Sequence, residues 1–217
     1  MDYEQLTPAE LDAHVAAGTF RLGFVGMSNG GKSYRSRVLQ NELDFYWYEV
    51  DAHIQDALGL ADMSDISSWL GYPTMDTYSE RQETYLEAEE KCTHLEHVDT
   101  NGKNLVFDTT GSVIYLSEAT KSWLLDQCLV VNIDVGEEAI EEMYKQYFAE
   151  PKPVIWGDAF NRQEGESDDE ALRRCYPELL KSRLKAYADL AHISIPHAAL
   201  HDQSGAATIE IIKQHLT

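Results

Sequence analysis

The chain has 217 residues, 43% of them hydrophobic, which is enough for one domain with a sizeable core. Its 17 Lys and Arg against 38 Asp and Glu give a formal net charge of -21, a surface that repels phosphate backbones and excludes a nucleic-acid partner. No run approaches the roughly 20 apolar residues of a membrane span, Met1 to Gln5 lack the regions of a signal peptide, and Cys92, Cys128 and Cys175 are too few and scattered for a disulfide framework. A cytoplasmic protein with no membrane partner, a monomer or weak dimer, is the expectation.

Thr7-Pro8-Ala9-Glu10 has the form of a capping box with proline at the first helical position. It opens a short helix that Gly18 closes, so residues 1–19 read as a helical extension and 20–217 as the main domain. Residues 20–25 are a buried strand, and residues 32–39 a helix. Residues 44–50, rich in aromatics, are a second strand. Two short helices follow at 51–60 and 63–70, broken by Gly71-Tyr72-Pro73. Residues 77–95 form a long charged helix, on whose surface His94 and His97 are solvated. Asn101-Gly102 is a turn before a third strand at 104–108. Helix 117–127, strand 128–134 and helix 136–148 continue the pattern. It breaks at residues 151–169, a polar stretch with prolines and glycines that reads as a functional lid. Helix 170–190, a short strand at 192–195 and helix 206–216 complete the chain. This alternation implies an α/β fold of P-loop NTPase type. Its three layers are a five-stranded parallel sheet and helices on both faces.

The chemistry begins at Gly26-Met27-Ser28-Asn29-Gly30-Gly31-Lys32-Ser33, a complete G-x-x-x-x-G-K-[ST] motif between a strand and a helix. Glycines let successive backbone N–H groups turn inward around anionic oxygens, and the helix N-terminus adds its dipole. Met27 to Tyr34 (Met27, Ser28, Asn29, Gly30, Gly31, Lys32, Ser33, Tyr34) are thus candidates for binding ATP. Lys32 reaches the β- and γ-phosphates, and Ser33 ligates Mg²⁺. Phosphoryl transfer also needs a metal partner and a positioned nucleophile at the carboxyl ends of strands. Glu49 and Asp51 end the second strand, and their side chains share one side if that strand persists. One would serve the metal and the other the acceptor hydroxyl, unless Asp51 is simply a helix cap. Asp108 closes an apolar strand of Walker B form and is the alternative metal ligand, with Gly111 after it permitting close approach to a ligand. Lys152 and Arg162 lie in the lid, where a cation can close on phosphates.

In order and spacing these features resemble the shikimate kinases from about Phe20 to Pro196. Glu49-Val50-Asp51 stands where that family carries Asp-x-Asp, which implies that Asp51 contacts the acceptor. Thr109-Thr110-Gly111 stands for the family's three glycines. Lys152-Pro153-Val154-Ile155 is similar to the Arg-Pro-Leu-Leu that begins the lid, and Arg183-Leu184-Lys185-Ala186-Tyr187 is similar to the family's late substrate-arginine region. The resemblance implies that Arg183 binds an acceptor carboxylate. The family's earlier substrate arginine falls at Arg81 or Glu80. Motif and resemblance together lead to the expectation of an ATP- and Mg²⁺-dependent small-molecule kinase, with shikimate as first candidate acceptor. Two rivals stand beside it: the same chemistry on a sugar acid, polyol or nucleoside, and an ATP-binding regulator without turnover.

Overall fold

The computed structural model describes residues 3–150 and 153–216. Five strands, β1 (Arg21–Val25), β2 (Tyr46–Glu49), β3 (Leu105–Asp108), β4 (Leu129–Asp134) and β5 (Ile193–Pro196), form one sheet of order β2-β3-β1-β4-β5. Every pairing is parallel. Such a sheet must be covered on both faces, and the side chains divide by the period-two alternation of a strand. Leu22, Phe24, Val106, Leu129, Val131 and Ile133 belong to one core, whereas Val25, Leu105, Phe107 and Val130 belong to the other.

The first core is capped by α1 (Pro8–Ala17), α2 (Lys32–Leu43), α9 (His197–Leu200) and α10 (Gly205–Gln214), through Leu11, Leu39, Leu200, Ile209 and Ile212. The predicted capping box at Thr7 and Glu10 is present in full. The second core is capped by α3 (Val50–Leu58), α4 (Met63–Leu70), α5 (Tyr78–Thr93), α6 (Glu118–Gln127), α7 (Ile140–Ala149) and α8 (Asp168–Leu190). A second capping box, Ser167 with Glu170, starts α8. No helix among the described residues is long and apolar enough to cross a membrane.

Two expectations need correction. The second strand does not persist to Asp51. It ends at Glu49, and Asp51 lies in the first turn of α3. Glu49 occupies the cap position but makes no side-chain cap bond, so Asp51 is not the cap either. The break after α7 is also not wholly a polar surface stretch, because Val154, Ile155 and Trp156, though in no helix or strand, are buried in the second core.

One buried amide ties the extension to the sheet. Asn104 Oδ1 accepts from the Phe20 N–H at 2.9 Å, its Nδ2 donates to the Val15 carbonyl at 2.9 Å, and its carbonyl accepts from Tyr46 N–H at 2.7 Å. Replacing the side chain strands a donor and an acceptor. Asn104→Ala is therefore expected to cost about 2–3 kcal/mol in urea unfolding, the penalty of unpaired buried groups. A loss below about 0.5 kcal/mol would mean that water replaces the amide.

Candidate active site

The cleft forms where β1 feeds the phosphate loop, between its two neighbours β3 and β4. Gly26 must leave the strand with φ +137°, and a Cβ there would stand 2.8 Å from the Ile133 carbonyl oxygen. The loop turns back at once: the Gly30 N–H donates to the Met27 carbonyl at 3.0 Å. Lys32, only 7% exposed, donates through Nζ to the carbonyls of Gly26 at 2.8 Å and Met27 at 3.1 Å. Burial depresses its pKa, and the nearby carboxylates of Asp108 and Asp51 pull it back up. Ser33 stands in the first turn of α2.

Glu49 and Asp108 are register partners on adjacent strands. Asp108 is buried, its Oδ2 accepts from the Trp47 indole N–H at 3.3 Å, and its Oδ1 has no hydrogen-bond partner. Burial raises its pKa, against the pull of Lys32 and of the Ser33 and Trp47 hydrogens. Glu49 is raised by burial first and then by the charges of Asp108 and Asp51. Asp108 and Asp51 both disfavour the ionisation of Glu49, and one buried Asp108 oxygen has no hydrogen-bond partner, an arrangement that a cation would relieve. No group of three His, Cys, Asp or Glu side chains among the described residues makes a metal cage. That combination fits Mg²⁺, which takes one or two carboxylates and completes its shell with water and phosphate oxygens. It does not fit zinc, whose sites are closed by protein ligands.

A cavity of about 470 Å³ runs from Met27, Ser28 and Asn29 past Gly31, Lys32, Ser33 and Tyr34 to Glu49, Asp51 and Gly111. A second, about 410 Å³, lies between the phosphate loop, Tyr147, Tyr176 and Arg183. A narrow space of about 30 Å³ lies between Ser28, Asp51, Tyr85, Thr110, Gly111 and Arg183. Ser28 borders all three.

Arg183 is buried, donates from Nη2 to the Ile155 carbonyl at 2.6 Å and from Nε to the Tyr115 hydroxyl at 3.4 Å, and lies over the Tyr115 ring. Its Nη1 is 3.6 Å from the place a Gly111 Cβ would occupy, and Ser28 Oγ is 2.7 Å from it. Gly111 is thus where the phosphate loop and the arginine both approach the backbone. The Tyr187 hydroxyl donates to the Gly111 carbonyl and holds it there. Thr109 and Thr110 turn their hydroxyls inward, Thr109 to the Phe24 carbonyl at 2.7 Å and Thr110 to Glu89.

The fold therefore gathers Met27 to Tyr34, Glu49, Asp51, Asp108, Gly111 and Arg183 at one end of the sheet. It does not gather Arg81, which donates to the Trp69 carbonyl and borders none of the three spaces. Lys152 lies outside the described residues. Arg162 is exposed and paired with Asp168 at 2.9 Å. His94 and His97 are exposed but lie beyond α5, which ends at Thr93, and His94 Nδ1 is 3.1 Å from the Thr120 hydroxyl. Two residues that pack behind the site, bordering none of the three spaces themselves, escape a reading of the sequence. Glu89 sits in a run of charged residues that looks solvated. Its signal is its spacing from Tyr78, Tyr85 and Thr93, which all fall on the buried stripe of α5. His197 begins α9, and its ring reaches within 3.4 Å of a Gly31 Cβ position. Only the return of β5 beside the loop places it there.

A parallel sheet of this order with a phosphate loop after β1 defines a P-loop α/β nucleotide-binding fold. More closely, it is a shikimate kinase-like fold. The structure is similar to shikimate kinase from Acinetobacter baumannii in complex with shikimate (TM-score 0.54, 19% identity, 94% of this chain and 95% of that one). It is likewise similar to shikimate kinase from Bacteroides thetaiotaomicron (0.57, 15%, 90% and 97%) and from Aquifex aeolicus (0.50, 18%, 89% and 93%). No family model and no curated protein sequence matches the chain.

The strained exit of β1 has a measurable consequence. Gly26→Ala puts a methyl against a backbone oxygen at a positive φ, so it is expected to cost about 1–3 kcal/mol of stability. The distorted loop is expected to weaken binding of a fluorescent ATP analogue at least tenfold. Titration and thermal unfolding of the variant check both, and unchanged affinity would mean that the loop relaxes around the methyl.

Proposed function

We propose that this chain is an ATP- and Mg²⁺-dependent kinase that phosphorylates a hydroxyl of a small anionic acceptor, with shikimate the first candidate. The observation that carries the reading is the convergence of the phosphate loop, Asp51 and Arg183 on one cleft. Lys32 and the loop N–H groups hold the β- and γ-phosphates. Ser33, Asp108 and Glu49 hold Mg²⁺, which when bound neutralises charge on the phosphate oxygens. Arg183 takes the acceptor's anionic group with its guanidinium, already oriented by Tyr115 and Ile155. Asp51 orients the acceptor hydroxyl and receives its proton as the oxygen–phosphorus bond forms and the bond to the β-phosphate oxygen breaks, leaving ADP. The buried segment from Val154 to Trp156 walls the cleft on the side of Arg183 and limits the entry of water, which would otherwise take the phosphoryl group.

One observation favours a different acceptor on the same machinery. With Arg81 turned to Trp69, Arg183 is the one guanidinium among the described lining residues of these spaces. A carboxylate held by one guanidinium is held less firmly than by two, which leaves room for a sugar acid, polyol or nucleoside.

Mg·ATP consumption with shikimate and a panel of such acceptors tests the reading. Transfer to one of them is expected, with Lys32→Ala reducing kcat/KM about 10³-fold or more through lost electrostatic stabilisation. Asp51→Asn is expected to lower kcat about 10²- to 10⁴-fold, the usual worth of a general base. Arg183→Lys keeps the charge but loses the fork, and is expected to raise the acceptor KM about tenfold or more. ATP binding without transfer to any acceptor would instead make the chain a nucleotide-binding regulator, and unimpaired transfer in Asp51→Asn would remove Asp51 from its role.

A further inference from the structure

The loop that presents Gly111 is held from behind by a carboxyl group that no ion pair explains. Glu89 is completely buried on α5, and no Lys, Arg or His forms an ion pair with it among the described residues. Its partners are two hydroxyls. Oε1 meets Thr110 Oγ1, Oε2 meets Ser112 Oγ at 2.5 Å, and the two hydroxyl oxygens meet each other at 3.0 Å. Three oxygen–oxygen contacts thus close a ring. The Ser112 N–H donates into it as well, to Thr110 Oγ1 at 2.9 Å.

Counting protons decides what the ring requires. Each contact needs one hydrogen between its oxygens, and each hydroxyl supplies only one. If Glu89 is ionised, both hydroxyls donate to it, and the Thr110–Ser112 contact is left with facing lone pairs. If Glu89 carries a proton, it donates to one hydroxyl, that hydroxyl donates to the other, and the second donates back to the carboxyl. All three contacts are then satisfied, and Thr110 Oγ1 retains a lone pair for the Ser112 N–H.

We propose that Glu89 is a neutral, proton-carrying positioning residue that closes the Glu89–Thr110–Ser112 ring, fixes Gly111 at the cleft and keeps that wall uncharged for an anionic acceptor. Burial pushes its carboxyl up to about 7, against the pull of the Ser112 and Thr110 hydroxyls. The ionisable groups facing it are Asp51 from α3, Tyr85 and Cys92 from α5, Lys32 from α2, and Arg183 and Tyr187 from α8. Asp51 opposes its ionisation and Arg183 favours it, both less than burial does. Ionisation places a negative charge behind Thr110, where it repels an anion seated against Arg183. The ring itself follows from the geometry, and its effect on the acceptor rests on the kinase reading above.

The test has two arms. The first needs no turnover. The folded carboxyl titrates above its unfolded value of 4.5, so the native state keeps a proton that the unfolded chain has released. Wild-type stability therefore falls as pH rises from about 4.5 to about 7, through this group. Glu89→Gln is neutral at every pH and can still donate and accept within the ring. Its stability relative to wild type is expected to rise from pH 5 to pH 8. Its infrared difference spectrum against wild type at pH 5.5 is expected to show a protonated carboxyl band that is absent at pH 8.5. A pH-independent loss of stability in Glu89→Gln, with no such band, would show an ionised carboxylate and overturn the ring.

The second arm reads the acceptor found by the panel. Its KM is expected to rise toward tenfold per pH unit above pH 7 in wild type, with kcat moving much less, and Glu89→Gln is expected to remove the rise. Identical KM–pH profiles in the two proteins would overturn the positioning role. If no acceptor is phosphorylated, the kinase reading fails while the ring is still decided by the first arm.

Discussion

The buried ammonium of Lys32 is the interaction around which the site is organised. A cation at 7% exposure has to be compensated, and the chain compensates it in two ways. The carbonyls of Gly26 and Met27 accept its hydrogens, which fixes the phosphate loop at the point where it leaves β1. The carboxylates of Asp108 and Asp51 supply the opposing charge from β3 and α3. These demands explain why the loop must turn so sharply at Gly26, and why an acidic residue ends the strand next to β1. They also explain the shared end of the sheet: parallel strands bring all their carboxyl termini, with the acidic residues beyond them, to the same edge as the loop.

The charges at that edge do not balance. Lys32 and Arg183 face Glu49, Asp51 and Asp108, and burial already disfavours the ionised forms of Glu49 and Asp108. In a chain of net charge -21 the surrounding surface adds to the imbalance. A bare triphosphate would meet repulsion there, which a bound divalent cation would reduce. The buried Asp108 Oδ1 has no hydrogen-bond partner to offset this.

On the other side of the cleft, a frame of hydrogen bonds to backbone groups fixes the wall. The Tyr78 hydroxyl accepts from the Trp156 N–H at 2.9 Å and lies 2.9 Å from the Val154 carbonyl. Gln82 Oε1 accepts from the N–H groups of Trp156 and Gly157 at 3.1 and 3.2 Å. Arg183 completes the frame by donating to Ile155. The segment after α7 is thereby fastened to α5 and α8 at its buried end, and the guanidinium is held in one orientation. Tyr187, Gly111 and Ser28 extend the same logic to the phosphate loop.

Much of this is legible in the amino-acid order because it is local. The phosphate loop is eight contiguous residues. The strands are short apolar runs between turn signals, and the parallel sheet follows from their alternation with helices. Asp108 and Glu49 are legible as residues that end strands. Asp51 reads at the right place but on the wrong element, because a helix starts one residue after Glu49 and local propensity does not fix such a boundary. Other features depend on elements far apart in the chain. Arg81 and Arg183 are both arginines on helices, and only packing turns one to the Trp69 carbonyl and the other to Gly111. Glu89 lies in a run of acidic and polar residues, and only the docking of α5 against the Thr110–Ser112 loop buries it. His197 meets Gly31 because β5 returns beside β4. The sequence by itself determined the chemistry available, since side-chain type and short spacing are properties of contiguous residues. The tertiary structure decided which of those groups face one another and which lose contact with water, because burial and distance are properties of the packed chain alone.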